Sequence, residues 1–170
     1  MENYNKVYLL AGGNLNNTPK KYQELVQLLE EKVGEIIGES SFYKSNAWGF
    51  VSNYPFVNII YIVHTKLSPE EVLVQTQKIE KKLGRTYKNQ SATYSDRSMD
   101  IDILFYNNLI YNSKDLIIPH PRIMERKFTL APLVEISPEY IHPIVQKTIN
   151  QLYTECKDSS EVEKIEKLEK

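Results

Sequence analysis

Two aspartates separated by one isoleucine are the residues of this chain best placed to do chemistry. In Asp100-Ile101-Asp102-Ile103 the polar and apolar residues alternate, which is the pattern of a β-strand. Residues two apart on a strand point to the same face, about 7 Å apart, so both carboxylates would project together. The two negative charges repel each other, and burying them without a cation costs free energy. Carboxylate oxygens suit Mg²⁺, which binds one or two of them and completes its shell with phosphate and water.

The same alternation is also typical of an edge strand whose outer face is solvated, and then the aspartates are merely polar. Aspartate is uncommon inside strands, which makes two of them in one strand less ordinary. The pattern by itself leaves both interpretations open.

Basic side chains surround the aspartate pair in the sequence. Arg97 lies three residues before Asp100, and His120 follows a short apolar run. Arginine binds phosphate through bidentate contacts, so such a set could hold a polyphosphate. Most basic residues, however, are solvated surface charges. The set comprises Arg85, Lys88, Arg97, His120, Arg122, Arg126 and Lys127.

The familiar phosphate-binding loops are absent from the sequence. It contains no Gly-x4-Gly-Lys-Ser/Thr loop, no Gly-x-Gly-x-x-Gly and no kinase catalytic loop. Gly12-Gly13-Asn14 could approach a ligand closely, although a Gly-Gly pair after an apolar run is more often a turn. If the chain binds ATP, metal ions and arginines must therefore hold the phosphates.

Two phenylalanines and one asparagine could recognise a flat heterocycle. Phe56 and Phe128 could stack on its faces, and Asn58, on the same strand face as Phe56, could read its hydrogen-bonding edge. Alternatively, both phenylalanines are core residues. Asn58 is the unusual one, since a polar side chain within an apolar strand needs partners.

The elements that would position these residues follow from hydrophobic periodicity, caps and turn residues. Their order, βαββαβ with added helices, predicts an α+β sandwich with a mainly antiparallel sheet and helices packed on its faces. Asn107-Asn108 favours a tight hairpin turn into 109–111, and 85–98 is predicted to be a long loop. Strands are predicted at 7–11, within 36–43, at 56–65, 99–106 and 116–118, and helices from Thr18-Pro19 to Gly34, from Ser68-Pro69 to Gly84, and over 122–136 with an interruption near Pro132.

Composition narrows the class of protein. A chain of 170 residues fits a single domain, predicted over 1–157, followed by a charged tail or surface helix over 158–170. The net charge of −1 argues against a nucleic-acid partner, and the one cysteine, Cys156, excludes an intrachain disulfide. No targeting segment or membrane-length apolar run is present. We therefore expect a cytoplasmic protein that binds no membrane. We further expect a monomer whose partners are small molecules.

Several of these segments, taken together in one order, resemble the 6-hydroxymethyl-7,8-dihydropterin pyrophosphokinase family over roughly 7–143. The resemblance implies a ferredoxin-like fold, with ATP binding before the pterin. It also implies transfer of pyrophosphate from ATP to the pterin hydroxyl, with release of AMP, in folate synthesis. The matching stretches are Ser40-Ser41-Phe42-Tyr43-Lys44-Ser45, Pro55-Phe56-Val57-Asn58, Gln77-Lys78-Ile79-Glu80 with Gly84-Arg85, Arg97-Ser98-Met99-Asp100-Ile101-Asp102-Ile103-Leu104-Phe105-Tyr106, Ile118-Pro119-His120-Pro121-Arg122-Ile123-Met124-Glu125-Arg126-Lys127-Phe128 and Ala131-Pro132-Leu133-Val134-Glu135-Ile136.

The resemblance also implies roles for individual residues. Asp100 and Asp102 would hold two Mg²⁺ ions and, with Arg85 and Arg97, form the catalytic set. The pterin would contact Ser45, Asn46, Trp48, Phe56, Asn58 and Phe128. ATP, as co-substrate, would contact Gln77, Glu80, Lys88, Arg97, Ile103, His120 and Arg126.

One segment departs from the family pattern. Thr93-Tyr94-Ser95-Asp96 stands where the family often has a second arginine and an aromatic-Gly-Pro run, and the loop is about two residues longer. Asp96 thus adds negative charge where phosphates should pass. Two other classes stay open: a different magnesium-dependent nucleotidyl or phosphoryl transferase, and a non-catalytic ferredoxin-like module that binds a small ligand or RNA.

Overall fold

The computed structural model describes residues 3–84 and 96–168. The strands are β1 Asn5–Gly13, β2 Gly34–Glu39, β3 Phe42–Ser45, β4 Phe56–Thr65, β5 Asp100–Tyr106, β6 Tyr111–Asn112, β7 Ile117–Ile118 and β8 Val162–Ile165. Within the described residues, six of these strands form one antiparallel sheet in the order β5-β1-β4-β3-β8, with β2 and β3 sharing one edge of β4. A separate two-stranded ribbon joins β6 to β7. The helices are α1 Pro19–Lys32, α2 Pro69–Lys82, a 3₁₀ turn Ile123–Glu125, α3 Lys127–Ile136 and α4 Ile149–Glu155.

Both faces of the sheet are covered by helices. The face that carries Leu9 and Ile101 packs on α1 and α2, and the face that carries Tyr8 and Leu10 packs on α3 and α4. Alternate strand residues supply the two cores because successive side chains point to opposite faces. The predicted α+β ferredoxin-like sandwich is confirmed.

Local signals placed the first two helices correctly. The Thr18 hydroxyl caps α1, and Ser68 and Glu71 form a reciprocal capping box at the start of α2. Proline follows each cap at the first helical position, where its missing N–H costs nothing.

Three predictions of local structure are wrong. Pro132 does not interrupt the helix but lies inside α3, and the break falls earlier, at Arg126. The chain turns at Asn107, yet no β5–β6 hairpin follows, because β6 pairs with β7 instead.

The third wrong prediction is the surface helix, one of the two alternatives given for 158–170. Val162–Ile165 instead form a strand that pairs with β3. The three-residue spacing of Val162, Ile165 and Leu168 is helical, but pairing with the open edge of β3 satisfies backbone groups that a surface helix would leave unpaired there.

Among the described helices, none is long and apolar enough to cross a membrane. The predicted 85–98 loop falls mostly on 85–95, outside the described residues, so Arg85, Lys88 and the segment 93–95 lie outside them too.

Candidate active site

Three residues lie in one row across β4, β1 and β5 at one end of the sheet, and the middle one is a glycine. Gly12 on β1 pairs with Asn58 on β4 and with Asp100 on β5. Residues that pair across strands share a face, so Asn58 and Asp100 flank a position that has no side chain. Asp102 stands two residues further along the same face, opposite Leu10. Gly12 therefore forms a floor between an amide and a carboxylate pair, with β4 packed closely against it.

A pocket lies over this floor. It is bounded by the ends of β1 and β3, the starts of β4 and β5, the 46–55 loop and the start of α3. Its lining residues are Leu10, Gly12, Ser45, Asn46, Trp48, Phe50, Phe56, Asn58, Arg97, Asp100, Asp102, Arg126 and Phe128. The structure thus brings together all six predicted pterin contacts with both predicted metal ligands.

The two aspartates are accessible from the pocket and have a basic neighbour. A guanidinium nitrogen of Arg97 lies 3.1 Å from Asp100 Oδ2. Across the described ranges, 3–84 and 96–168, no group of three or more His, Cys, Asp or Glu side chains could hold a metal ion. Asp100 and Asp102 supply two carboxylates, which fits the shell of Mg²⁺ when phosphate and water complete it.

Aromatic rings form the walls of the pocket. The Arg126 guanidinium stacks on Trp48, 4.6 Å from its ring centroid, and lies 5.6 Å from that of Phe128. Phe50, which was not among the predicted site residues, meets Phe56 edge-on, with 5.9 Å between the ring centroids. Its only sequence signal is an aromatic residue after Gly49 in a polar loop. Flat apolar walls of this kind suit a planar ring.

Two buried polar side chains line the same space. Asn58 is 7% exposed and Ser45 is 5% exposed. Among the described residues, the Ser45 hydroxyl has no hydrogen-bond partner. A buried hydroxyl without a partner costs free energy, which a polar ligand would recover.

His120 is placed to act as a neutral group. Burial, followed by the positive charge of Arg126, lowers its pKa to about 4, against a smaller opposing effect of Asp100. Its Nδ1 accepts a hydrogen bond from the backbone N–H of Arg122 at 3.1 Å, which puts the ring proton on Nε2. In the free protein at pH 7, His120 can donate a hydrogen bond to a phosphate but carries no charge for it.

Other predicted nucleotide contacts lie outside the pocket lining. Glu80 is buried, and its carboxylate accepts the backbone N–H of Ile101 at 3.1 Å. The Ile103 side chain belongs to the core under α1 and α2, so only its backbone can reach a ligand. Gln77 is half-buried on α2.

Asn14 has a role that its place in the Gly-Gly-Asn turn did not indicate, because it joins the two loops that border the pocket. Its Nδ2 donates to Asp96 Oδ1 at 2.7 Å and to the Tyr54 carbonyl at 3.2 Å. Its Oδ1 accepts the backbone N–H of Arg97 at 2.9 Å, and its own N–H donates to the Arg97 carbonyl at 3.0 Å. Asp96 Oδ1 also accepts from Ser52 Oγ at 2.6 Å. These hydrogen bonds, from Ser52 first and Asn14 second, hold the pKa of Asp96 below its usual value.

Lys21 also binds the backbone on both sides of the Asn14–Arg97 contact. Its ammonium donates to the carbonyls of Ser98, at 2.5 Å, and Leu15, at 2.8 Å. Burial lowers the pKa of Lys21 to about 8. Lys21 and Asn14 together fix the backbone that leads from Arg97 into β5.

Comparison with known proteins identifies the family. The sequence model of 7,8-dihydro-6-hydroxymethylpterin-pyrophosphokinase (HPPK) matches residues 8–138. A protein of Porphyromonas gingivalis named 2-amino-4-hydroxy-6-hydroxymethyldihydropteridine pyrophosphokinase is 37% identical over 140 residues, which cover 81% of this chain and 93% of that one. A protein of the same name from Aquifex aeolicus is 36% identical over 149 residues, covering 88% and 91%.

Solved structures agree on the fold. A crystal structure of HPPK-DHPS in complex with substrates superposes with a TM-score of 0.71 at 18% identity, over 90% of this chain. The Plasmodium falciparum HPPK-DHPS bound to pteroate gives a TM-score of 0.70 at 19% identity, over 91% of this chain. This chain spans 43% of each of those longer chains. The extent of the sequence matches shows that the chain belongs to the 7,8-dihydro-6-hydroxymethylpterin-pyrophosphokinase family.

Proposed function

We propose that this chain transfers pyrophosphate from ATP to the hydroxyl of 6-hydroxymethyl-7,8-dihydropterin and releases AMP, a step of folate biosynthesis. The observation that carries the proposal is the row of Asn58, Gly12 and Asp100 across three neighbouring strands. The row puts a heterocycle-reading amide beside a carboxylate pair, within one pocket.

The aromatic half of the pocket would take the pterin. Phe128 and Phe56, with Trp48 beside them, offer flat apolar surfaces to a planar ring. The Asn58 amide supplies both a donor and an acceptor, which matches the alternating groups on a pterin edge. Ser45 and Asn46, at the end of β3, supply further polar atoms.

The charged half would take the triphosphate. Asp100 and Asp102 would hold Mg²⁺, in our proposal two ions, which offset phosphate charge when bound. Arg97 and Arg126 both line the pocket and can clamp phosphate oxygens through bidentate contacts. His120 can donate from Nε2. Arg85 and Lys88, outside the described residues, are proposed as further phosphate contacts.

The transfer follows from this arrangement. The pterin oxygen forms a bond to the β-phosphorus while the bond from that phosphorus to the α–β bridging oxygen breaks. AMP leaves with that oxygen, and the hydroxyl proton passes to solvent. Holding the two substrates in line removes much of the entropic barrier. Arg97 sits 3.1 Å from Asp100 and is therefore close to charge that develops on the transferred group.

Product analysis tests the proposal. The protein is mixed with ATP, MgCl₂ and 6-hydroxymethyl-7,8-dihydropterin, with matched reactions that lack the pterin or contain EDTA. We expect AMP and the pterin diphosphate in equal amounts, only in the complete reaction. ADP as the nucleotide product would assign the pocket to phosphoryl transfer, and no product at all would favour a non-catalytic binding module.

A further inference from the structure

The C-terminal segment 158–165, beyond residues 8–138 that the family model matches, contacts two walls of the pocket. Its strand β8 pairs with every residue of β3, from Phe42 opposite Ile165 to Ser45 opposite Val162. On its other side β3 pairs with β4, where Ser45 meets Phe56. Without β8, β3 would be an edge strand, and Ser45 would lie at its free end.

The same segment caps the helix that carries the opposite wall. Arg126, the N-cap residue of α3, makes no capping hydrogen bond with its side chain. Asp158 Oδ2 instead accepts the backbone N–H of Lys127 at 3.1 Å. An acceptor with negative charge at this position satisfies an otherwise orphan N–H and stabilises the helix end. The two residues that flank Lys127 are Arg126 and Phe128, and both line the pocket.

Asp158 is itself fixed in place. Its Oδ1 accepts the backbone N–H of Ser160 at 3.0 Å and the Ser160 hydroxyl at 2.5 Å. Burial alone would raise the pKa of Asp158, but the hydrogen bonds from Ser160 and Lys127 outweigh it and hold the pKa below the usual value. Asp158 is therefore charged at neutral pH.

A second tie connects the far end of α3 to the turn before β3. Glu135 Oε1 accepts the backbone N–H of Ser41 at 2.6 Å, and Oε2 accepts the Ser41 hydroxyl at 2.8 Å. Lys164 of β8 lies 2.8 Å from Glu135 Oε2. Because Lys164 is 58% exposed, this ion pair adds little by itself. The strand pairing and the Asp158 cap are the main connections.

We propose that the segment 158–165 is a positioning strap, which holds α3 against β3 and so sets the spacing between Phe128 and the pair Ser45 and Phe56. This inference rests on the proposed function, since that spacing is the width of the slot for the pterin. The described contacts of the strap are with β3, Lys127 and Glu135, which position the walls of the pterin slot. Arg126, which flanks Lys127, is the one proposed phosphate contact that the strap also positions.

The test compares Asp158→Ala, Asp158→Asn and a protein that ends at Lys157. Asp115→Asn, which removes a charge from an exposed position, is the matched control. Loss of a cap of this kind and the resulting shift of Phe128 should raise the KM for the pterin about five- to tenfold in Asp158→Ala. The KM for ATP should rise less than the KM for the pterin, because Arg126 is only one of several proposed phosphate contacts, and kcat should stay within about twofold. Asp158→Asn keeps an acceptor oxygen and should recover most of the pterin affinity.

A binding measurement separates this inference from the proposed function. Trp48, the only tryptophan, lines the pocket, so its fluorescence reports pterin binding in the presence of a non-hydrolysable ATP analogue. Weaker pterin binding in Asp158→Ala supports the strap even if the intact chain forms no AMP. The absence of AMP would refute only the proposed function. Unchanged pterin binding in Asp158→Ala refutes the strap. Equal weakening of pterin and ATP binding refutes it too, because that indicates a general loss of stability.

Discussion

Replacing Gly12 with alanine should damage the pocket floor and weaken pterin binding. A Cβ atom at this position would lie 2.0 Å from the carbonyl oxygen of Val57, 2.6 Å from Asn58 Oδ1 and 3.0 Å from Asn58 Cα. Two of the three neighbours are backbone atoms of β4, which cannot rotate away. The ends of β1 and β4 must therefore separate, and the Asn58 amide must move.

The magnitude follows from these contacts. Overpacking of this kind costs about 1–3 kcal/mol of the free energy of unfolding. For a chain of this length that corresponds to a fall in Tm of roughly 3–10 °C. Separately, loss of a well-placed amide contact should weaken pterin binding by about 1–3 kcal/mol, which corresponds to a rise in the pterin KM of about 5- to 150-fold.

Gly38→Ala is the matched control, because Gly38 is also in a strand beside β4. The three atoms nearest to a Cβ there all belong to the Ile62 side chain, with Cδ1 at 3.4 Å and two further atoms at 3.8 Å. These are ordinary contacts, so we expect little change in Tm or in either KM. Thermal melts and steady-state kinetics of both variants provide the assay. If Gly12→Ala behaves like Gly38→Ala, the close approach of β1 and β4 does not shape the pocket.

Three further predictions concern the charged residues. Asp100→Asn and Asp102→Asn should each abolish turnover while the circular dichroism spectrum stays unchanged; unfolding of both would mean that the pair is structural. Arg97→Lys should lower kcat, since an ammonium cannot make a bidentate contact, and a rise in the KM for ATP alone would contradict a role in the transition state. His120, with its pKa lowered to about 4, stays neutral when folded, whereas the unfolded chain takes up a proton below about pH 6.5. The free energy of unfolding should therefore fall by roughly 2 kcal/mol from pH 7 to pH 5, and a His120→Gln variant with the same decrease in urea titrations would rule His120 out as its source.

Local signals explain which parts of the fold were predictable. The capping box at Ser68 and Glu71 is complete within four residues, and the structure reproduces it bond for bond. The run of β-branched and aromatic residues in β4 predicted its bounds, Phe56–Thr65, without error. The pocket residues could be named because resemblance and strand periodicity agreed on Asn58, Asp100 and Asp102.

Long-range pairing explains the failures. The 158–170 segment carries apolar residues at helical spacing, and only the open edge of β3, more than a hundred residues away in sequence, makes Val162–Ile165 a strand. Asn14 and Lys21 were missed for the same reason. Asn14 lies 82 residues from Asp96, and Lys21 lies 77 residues from Ser98, so no local pattern marks either contact.

Asp96 shows how the structure changes the interpretation of a departure from the family pattern. From the sequence, its charge was expected to oppose the phosphates. In the structure its carboxylate accepts hydrogen bonds from Asn14 and Ser52, which spread that charge over two donors and tie the 46–55 loop to the segment before β5. Asn14 also binds both backbone polar groups of Arg97, accepting from its N–H and donating to its carbonyl. The anchor lies between the lengthened loop and Arg97, so differences in sequence and length upstream of Asp96 can be tolerated without moving the arginine relative to Asp100.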